Sequence, residues 1–224
     1  METTIKTVQV FVNAHAEFGN TLGIVDSSSQ LSDDFCQQLA RRAGFSETVF
    51  IDDPATASIR IFTPKRQIPF AGHPTVGTAW FLHQQGIDVT ALETKAGTVG
   101  AAADQDTAWI QAPSAWSTPW ILLSLSSPAE VDAAPAAGID RHDYAWAWID
   151  QTAGTVRARA FTSASGPLED EDTGSAAMWL ANELNLPLRI LQGQGSILHV
   201  EPEESGLVRL AGRVRRGADL VLQF

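Results

Sequence analysis

Apolar and polar side chains alternate at the start of the chain, as they do in a half-buried strand. The alternation runs over residues 5–12, and Gly19-Asn20 then allows a turn into a second apolar run at 22–25. Further along, apolar residues recur at helical spacing between Ser32, a good helix cap, and Gly44, a typical helix end. The pattern predicts an opening hairpin followed by a helix that packs against a sheet.

Short apolar runs then predict a series of strands around one longer helix. A turn-rich block at residues 64–74 opens this helix, which extends to about Gln85. The strands are predicted at 48–51, 57–63, 91–94, 98–102 and 107–111.

The second half is predicted to repeat this scheme. Strands at 145–149 and 155–162 precede an acid-rich turn, a helix at 173–184 and further short strands. Residues 113–143 are rich in Ala, Ser and Pro, a composition typical of a connection. We therefore predict an α/β (α+β) protein of two halves, 1–112 and 113–224.

Small residues stand at the starts of the two apolar helices. Gly77-Thr78 and Gly174-Ser175 each follow a strand and a turn, about half the chain length apart, which indicates a duplication or a coincidence of common helix-start residues. Helix starts carry free N–H groups and a positive dipole end, so both could bind a substrate carboxylate in a shared cleft. Alternatively, the small residues let each helix approach its sheet closely.

Glu47 lies where apolar side chains are expected to point. If its segment is a strand, then Phe45, Glu47, Val49 and Ile51 share one face. Burial disfavours the charged form of a carboxyl group and so suits it to general acid and base chemistry near neutral pH. The alternative is a solvated Glu at the entrance of a strand.

Three further side chains could take part in proton transfer. His73 lies between Gly72 and Pro74, just before a helix, where it could orient a substrate or pass a proton. Alternatively, it is a polar residue on the surface. Asp170 and Asp172 precede the second apolar helix and could be acids of the site or merely helix caps.

Composition excludes several classes of protein. The formal net charge of -11 and the absence of a basic stripe argue against nucleic acid. No basic, apolar leader and no apolar run of membrane-spanning length is present, so we expect a cytoplasmic protein without a membrane partner. A single cysteine, Cys36, five separated histidines and the lack of nucleotide loops predict no metal and no cofactor.

Four motifs in order resemble the PhzF family, the phenazine-biosynthesis isomerases with a diaminopimelate epimerase-like fold. They are Val8-Gln-Val-Phe with Phe18-Gly-Asn20, Phe45-Ser-Glu47-Thr, Arg60-Ile-Phe-Thr-Pro with Pro69-Phe-Ala-Gly-His73-Pro-Thr, and Glu169-Asp170 with Thr173-Gly-Ser175-Ala.

The resemblance implies two pseudo-symmetric halves, each a curved mixed sheet wrapped around a central helix, with the active site between them. It implies a homodimer and a cofactor-free isomerase of a small anionic metabolite similar to a dihydro-hydroxyanthranilate. Glu47 would shuttle the proton. The other implied residues are His73 and Asp170 in catalysis, and Asn20, Gly72, Gly77, Thr78, Gly174 and Ser175 in substrate binding.

The chain also departs from the family pattern. The second half is shorter than in typical members, and Glu171-Asp172 stands where the family has Pro-Ala, which leaves the choice between Asp170 and Asp172 open. Thr21, Gln67 and Gln194 replace a usual Pro, Glu and Arg. These changes favour an altered substrate. The alternatives are an epimerase or racemase on the same fold, and a ligand-binding relative without catalysis.

Overall fold

The computed structural model describes residues 2–26, 28–135, 141–162 and 169–223, and within them the strands form one continuous sheet. The four α-helices are α1 (Asp33–Ala43), α2 (Gly72–Gln84), α3 (Pro128–Ala133) and α4 (Gly174–Leu184). The strands of the first half are β1 (Glu2–Val12), β2 (Asn20–Val25), β3 (Thr48–Asp53), β4 (Ser58–Phe62), β5 (Gln67–Ile68), β6 (Ala91–Thr94), β7 (Gly97–Ala103) and β8 (Thr107–Pro113). Those of the second half are β9 (Ile121–Ser124), β10 (Asp143–Asp150), β11 (Thr155–Phe161), β12 (Glu169–Asp170), β13 (Leu188–Gln192), β14 (Ser196–Pro202), β15 (Leu207–Arg216) and β16 (Leu220–Gln223).

Eight strands close into a ring around α2. The order is β1-β2-β3-β4-β6-β7-β8-β15, and β15 closes it by pairing antiparallel with both β8 and β1. Helix α2 is buried on every side from Gly72 to Leu82, which explains why its sequence shows no polar face. The first central helix is therefore enclosed by strands from both ends of the chain.

The second half builds a sheet onto the same ring. Strands β15, β14, β13, β11, β10 and β9 follow one another, and α4 packs against β14 and β15. One hydrophobic cluster includes side chains of α2, α4 and the surrounding strands. The predicted division at residues 112 and 113 stays a prediction, and β15 is hydrogen-bonded to strands of both halves.

The opening hairpin and the first helix are confirmed. Strands β1 and β2 pair antiparallel, and the hydroxyl of Ser32 accepts a hydrogen bond from the N–H of Phe35 at 3.3 Å. Gly44 ends α1 in the left-handed conformation with φ 73°. Helix α1 covers the outside of the ring, where Cys36 and Leu39 pack in a second cluster with Phe50.

Two predictions about local structure are wrong. The segment 113–143 is more than a connection, because its described part contains β9 and α3, the latter capped by Ser127 with a proline in its first turn. The helix predicted to start after the turn-rich block begins earlier, at Gly72. Pro74 fits inside its first turn, since the N–H that proline lacks would have no partner there.

Candidate active site

The first turns of α2 and α4 touch each other. A Cβ atom on Gly72 would lie 3.2 Å from the Cα of Gly174, and one on Gly174 would lie 3.1 Å from the backbone nitrogen of His73. Leu210 of β15 packs over both glycines: its Cδ2 would lie 2.5 Å from a Cβ on Gly72 and 2.6 Å from a Cβ on Gly174. Because the first N–H groups of a helix lack intrahelical acceptors, this contact gathers two sets of free donors at one junction.

Glu47 and His73 form an ion pair at this junction. Oε2 of Glu47 lies 3.1 Å from Nδ1 of His73, which is the second residue of α2 rather than a turn residue before it. Their side chains are 19% and 4% exposed, so the Glu47 carboxylate is partly accessible to solvent and the His73 imidazole is buried.

The chain enters β3 immediately after Glu47. Val49 and Ile51 point into the cluster around α2, on the same side as the Glu47 carboxylate. Phe45 packs in the cluster below α1 instead, so its predicted place on that face is wrong. The reason is that residues 44–47 are not yet a strand, and strand alternation does not apply to them.

Several charges act on the imidazole of His73. Burial lowers the pKa of His73, but its hydrogen bond with Glu47 and the charges of Asp172, Glu47 and Asp170 outweigh burial and raise it. Its other ring nitrogen, Nε2, is buried without a partner among the described residues.

Asp170 is held by two donors. Nδ2 of Asn20 donates to its Oδ1 at 2.9 Å, and the hydroxyl of Thr173 donates to its Oδ2 at 2.8 Å. Burial, followed by the charge of Glu47, raises the pKa of Asp170 to about 7 against the opposing effects of Thr173, His73 and Asn20. A carboxyl group with this pKa can donate or accept a proton near neutral pH.

A buried hydrogen-bond chain orients Asp170 from behind. The hydroxyl of Tyr144 donates to Oε1 of Gln192 at 2.9 Å, and Nε2 of Gln192 donates to the hydroxyl of Thr173 at 3.1 Å. Burial raises the pKa of Tyr144, so its phenol remains a donor. Sequence reasoning missed Tyr144 and Gln192, although a lone Tyr and a Gln inside apolar strands were available as signals.

Asp172 and Ser175 are the remaining polar residues near the start of α4. Asp172 is 1% exposed, and neither carboxyl oxygen has a partner among the described residues, so it does not cap α4. Burial, together with the charges of Asp170 and Glu171, raises its pKa well above the usual range, despite the opposing effects of the His73 charge and of the nearby backbone N–H of Asn20. The hydroxyl of Ser175 accepts a hydrogen bond from Nε1 of Trp120 at 3.1 Å, a contact that sequence reasoning did not predict.

Two predicted binding residues do not reach the junction. Gly77 lies in the second turn of α2, where an added Cβ would come within 2.7 Å of Leu22 and 2.8 Å of Val10. The hydroxyl of Thr78 donates to the carbonyl of Pro74 at 2.7 Å. The helix start predicted at Gly77 is therefore wrong, and close packing explains this glycine. Gly72 is the residue of α2 that corresponds to Gly174.

Other kinds of site find no support in the described segments. None of their helices is both long and apolar enough to cross a bilayer. Nor do these residues place three or more His, Cys, Asp or Glu side chains where they could share a metal ion.

Comparison with known protein sequences finds one family model and several relatives named as isomerases. Residues 8–145 match the family model described as phenazine biosynthesis-like protein, PhzC-PhzF. An isomerase of Pseudomonas fluorescens named for trans-2,3-dihydro-3-hydroxyanthranilate is 30% identical, over 78% of this chain and 80% of its own length. An uncharacterized isomerase of Pasteurella multocida is 43% identical, but the match covers 39% of this chain and only 34% of that protein.

Solved structures agree on the fold. A PhzF-family phenazine biosynthesis protein of Bacillus anthracis superposes with a TM-score of 0.77 over 100% of both chains, at 18% identity. A hydroxyproline epimerase of Agrobacterium vitis reaches a TM-score of 0.63 over 99% of this chain and 92% of its own, at 12% identity. The fold predicted from the sequence is confirmed.

Proposed function

The chain belongs to the phenazine biosynthesis-like (PhzF) family, and from this premise we propose that it is a cofactor-independent isomerase of a small carboxylate-bearing metabolite. The name of the Pseudomonas fluorescens relative suggests the substrate class, a dihydro-hydroxyanthranilate-like acid. The observation that supports the proposal most is the pairing of Glu47 with His73 at 3.1 Å, beside the joined starts of α2 and α4.

In the proposed reaction, Glu47 removes a proton from an acidic carbon of the substrate. The C–H electron pair moves into the adjacent unsaturated system, and Glu47 delivers a proton, which can exchange with water while the carboxyl group holds it, to a different carbon. A double bond shifts, and no other reactant is needed. The free N–H groups of the two first turns, at Gly72 and Gly174, hold the substrate carboxylate and stabilise the negative charge that develops. General acid-base catalysis of this kind contributes about 10²- to 10⁴-fold.

His73 and Asp170 are proposed to support this transfer. His73 donates a hydrogen bond to the Glu47 carboxylate and so fixes its orientation. Asp170, held by Asn20 and Thr173, is a second group able to exchange a proton. Ser175 and Asn20 are proposed to contact the substrate, and the protein is proposed to act as a cytoplasmic homodimer.

The test is the variant Glu47→Gln, which keeps the size of the side chain but cannot accept a proton. We expect turnover of dihydro-hydroxyanthranilate to fall at least about 10²-fold, with the circular dichroism spectrum unchanged. Glu183→Gln, on the exposed side of α4, is the matched control and should retain full activity. An active Glu47→Gln enzyme would refute the role of this carboxylate.

Solvent deuterium separates isomerisation from the rival functions. Deuterium at a new carbon indicates isomerisation, whereas deuterium at the original carbon, with inversion there, indicates an epimerase. Tight binding of the acid without any exchange would identify a binding protein and exclude the proposed chemistry.

A further inference from the structure

Two buried polar groups beside the proposed proton-transfer residues have no partner among the described residues. Asp172 is 1% exposed with both carboxyl oxygens unpaired, and His73 is 4% exposed with Nε2 unpaired. Buried polar groups in proteins are nearly always hydrogen-bonded, because leaving one unpaired is costly. Two such groups close together mark a place where a bound ligand can complete their hydrogen bonds.

The two groups approach the same junction from different halves of the chain. His73 is the second residue of α2, and Asp172 lies two residues before Gly174, the first residue of α4. The first turns of these helices are in contact at Gly72 and Gly174. The charge of Asp172 acts on the imidazole of His73, so the two side chains lie within electrostatic range of each other.

The charges at this place favour a cation. Three carboxyl groups act on His73, those of Glu47, Asp170 and Asp172. In the described part of the chain their only ion pair is the one between Glu47 and His73. Asp170 already accepts two side-chain hydrogen bonds and Glu47 one, whereas no described side chain donates to Asp172, and only the backbone N–H of Asn20 acts on it. Asp172 is thus the carboxyl group with vacant acceptor sites for a new donor.

An ammonium group fits this site better than a metal ion. It supplies three N–H donors to the oxygens of Asp172, and its positive charge favours the ionised form of that carboxyl group, so the hydrogen bonds become charge-assisted and strong. A metal ion would need several ligands, and the described residues offer no group of three positioned for one.

We propose that Asp172 binds the ammonium group of the substrate and so restricts this protein to amino carboxylates. The inference rests on the function proposed above: the carboxylate occupies the helix starts, and the ammonium lies against Asp172. Asp172 replaces the residue that the family pattern has at this position, so the contact is a feature of this chain.

Calorimetry with two stable ring acids tests the assignment. The probes are trans-2-aminocyclohexane-1-carboxylate and trans-2-hydroxycyclohexane-1-carboxylate, which differ in the one group assigned to Asp172. The wild-type protein should bind the amino acid more tightly. Asp172→Asn should weaken its binding by about 10- to 100-fold, the value of a hydrogen bond to a charged group, and should change the binding of the hydroxy acid by less than about threefold.

Two more variants keep the test decisive. Asp172→Ala should give the same loss of preference, and its thermal unfolding shows whether the protein is folded. Asp88→Asn, an exposed control in the α2–β6 loop, should bind both acids as the wild type does. Equal losses for both acids, no loss for the amino acid, or a wild-type protein that does not distinguish the probes at millimolar concentration would each overturn the proposal.

The experiment also separates this inference from the proposed function. Binding is measured in the Glu47→Gln background as well, where no proton transfer is expected. If the protein prefers the amino acid through Asp172 but shows no isomerase activity, ammonium binding by Asp172 is supported and the proposed isomerase function is refuted. If deuterium is transferred but Asp172→Asn leaves the preference for the amino acid unchanged, only the proposed role of Asp172 is refuted.

Discussion

Asp170 and Asp172 are two positions apart in the chain, and their surroundings differ completely. Asp170 accepts hydrogen bonds from the side chains of Asn20 and Thr173, whereas Asp172 is buried and no side chain in the described part of the chain donates to it. The sequence left open which of them belongs to the site, and in the structure the charges of both act on the imidazole of His73. Their hydrogen bonds suggest separate tasks, with Asp170 in proton exchange and Asp172 in ligand binding.

Both carboxyl groups make stability depend on pH. Their pKa values are raised in the folded protein, to about 7 for Asp170 and well above the usual range for Asp172, and that of His73 is raised as well. The folded state thus binds more protons than the unfolded state, so this stabilisation is present below about pH 4 and is lost as the pH rises through the folded pKa values.

We therefore predict that the free energy of unfolding of the ligand-free protein falls as the pH increases from about 4 to about 7. Asp172→Asn should reduce this slope by up to about 1.4 kcal/mol per pH unit, the value for one proton, and should be more stable than the wild type at pH 7. Urea unfolding at several pH values measures both effects. A steeper slope in the variant would contradict the assigned pKa direction.

Helix α2 shows which elements local sequence signals can define. Its length and apolar character were apparent, but its first residue was not, because Gly72 and Gly77 are equally plausible near a helix start. The choice depends on Ala71, whose φ of -155° and ψ of 145° place the helix boundary before Gly72. Gly77 is small because Val8, Val10 and Leu22 of the neighbouring strands occupy the space of its side chain.

The contact between the helix starts predicts a large effect of Gly72→Ala. The added methyl group would meet Leu210 and the backbone of Gly174, so we expect a loss of about 1–3 kcal/mol in the free energy of unfolding. Turnover should fall further than stability explains, because the two first turns would separate. Gly100→Ala in β7 is the control, since its nearest contact is the flexible end of Gln111 at 3.3 Å. Equal behaviour of the two variants would show that the close contact is unimportant.

At the scale of the whole molecule, β15 connects the two halves. It closes the ring around α2 by pairing with β1 and β8, and it pairs with β14 of the second half. Leu210 on this strand is fully buried and lies over both Gly72 and Gly174. A strand shared in this way should make the halves unfold together.

The prediction is tested with Leu210→Ala. Removal of a buried leucine side chain should cost about 2–5 kcal/mol of unfolding free energy. Far-ultraviolet circular dichroism and tryptophan fluorescence should still report one coincident transition, because α2 and α4 belong to one hydrophobic cluster. Two separate transitions in the wild-type protein would show that the halves are independent.

The sequence by itself determined the elements, the fold and several residues of the candidate site. Caps such as Ser32 and Gly44, strand alternation and the order of the motifs are local features, and local features depend on neighbours a few residues away. Only the tertiary structure decided that Glu47 meets His73, that Asp172 is buried, and that Tyr144 and Gln192 support Asp170. Those contacts join residues far apart in the chain, and they exist because β15 closes the ring and brings two helix starts together.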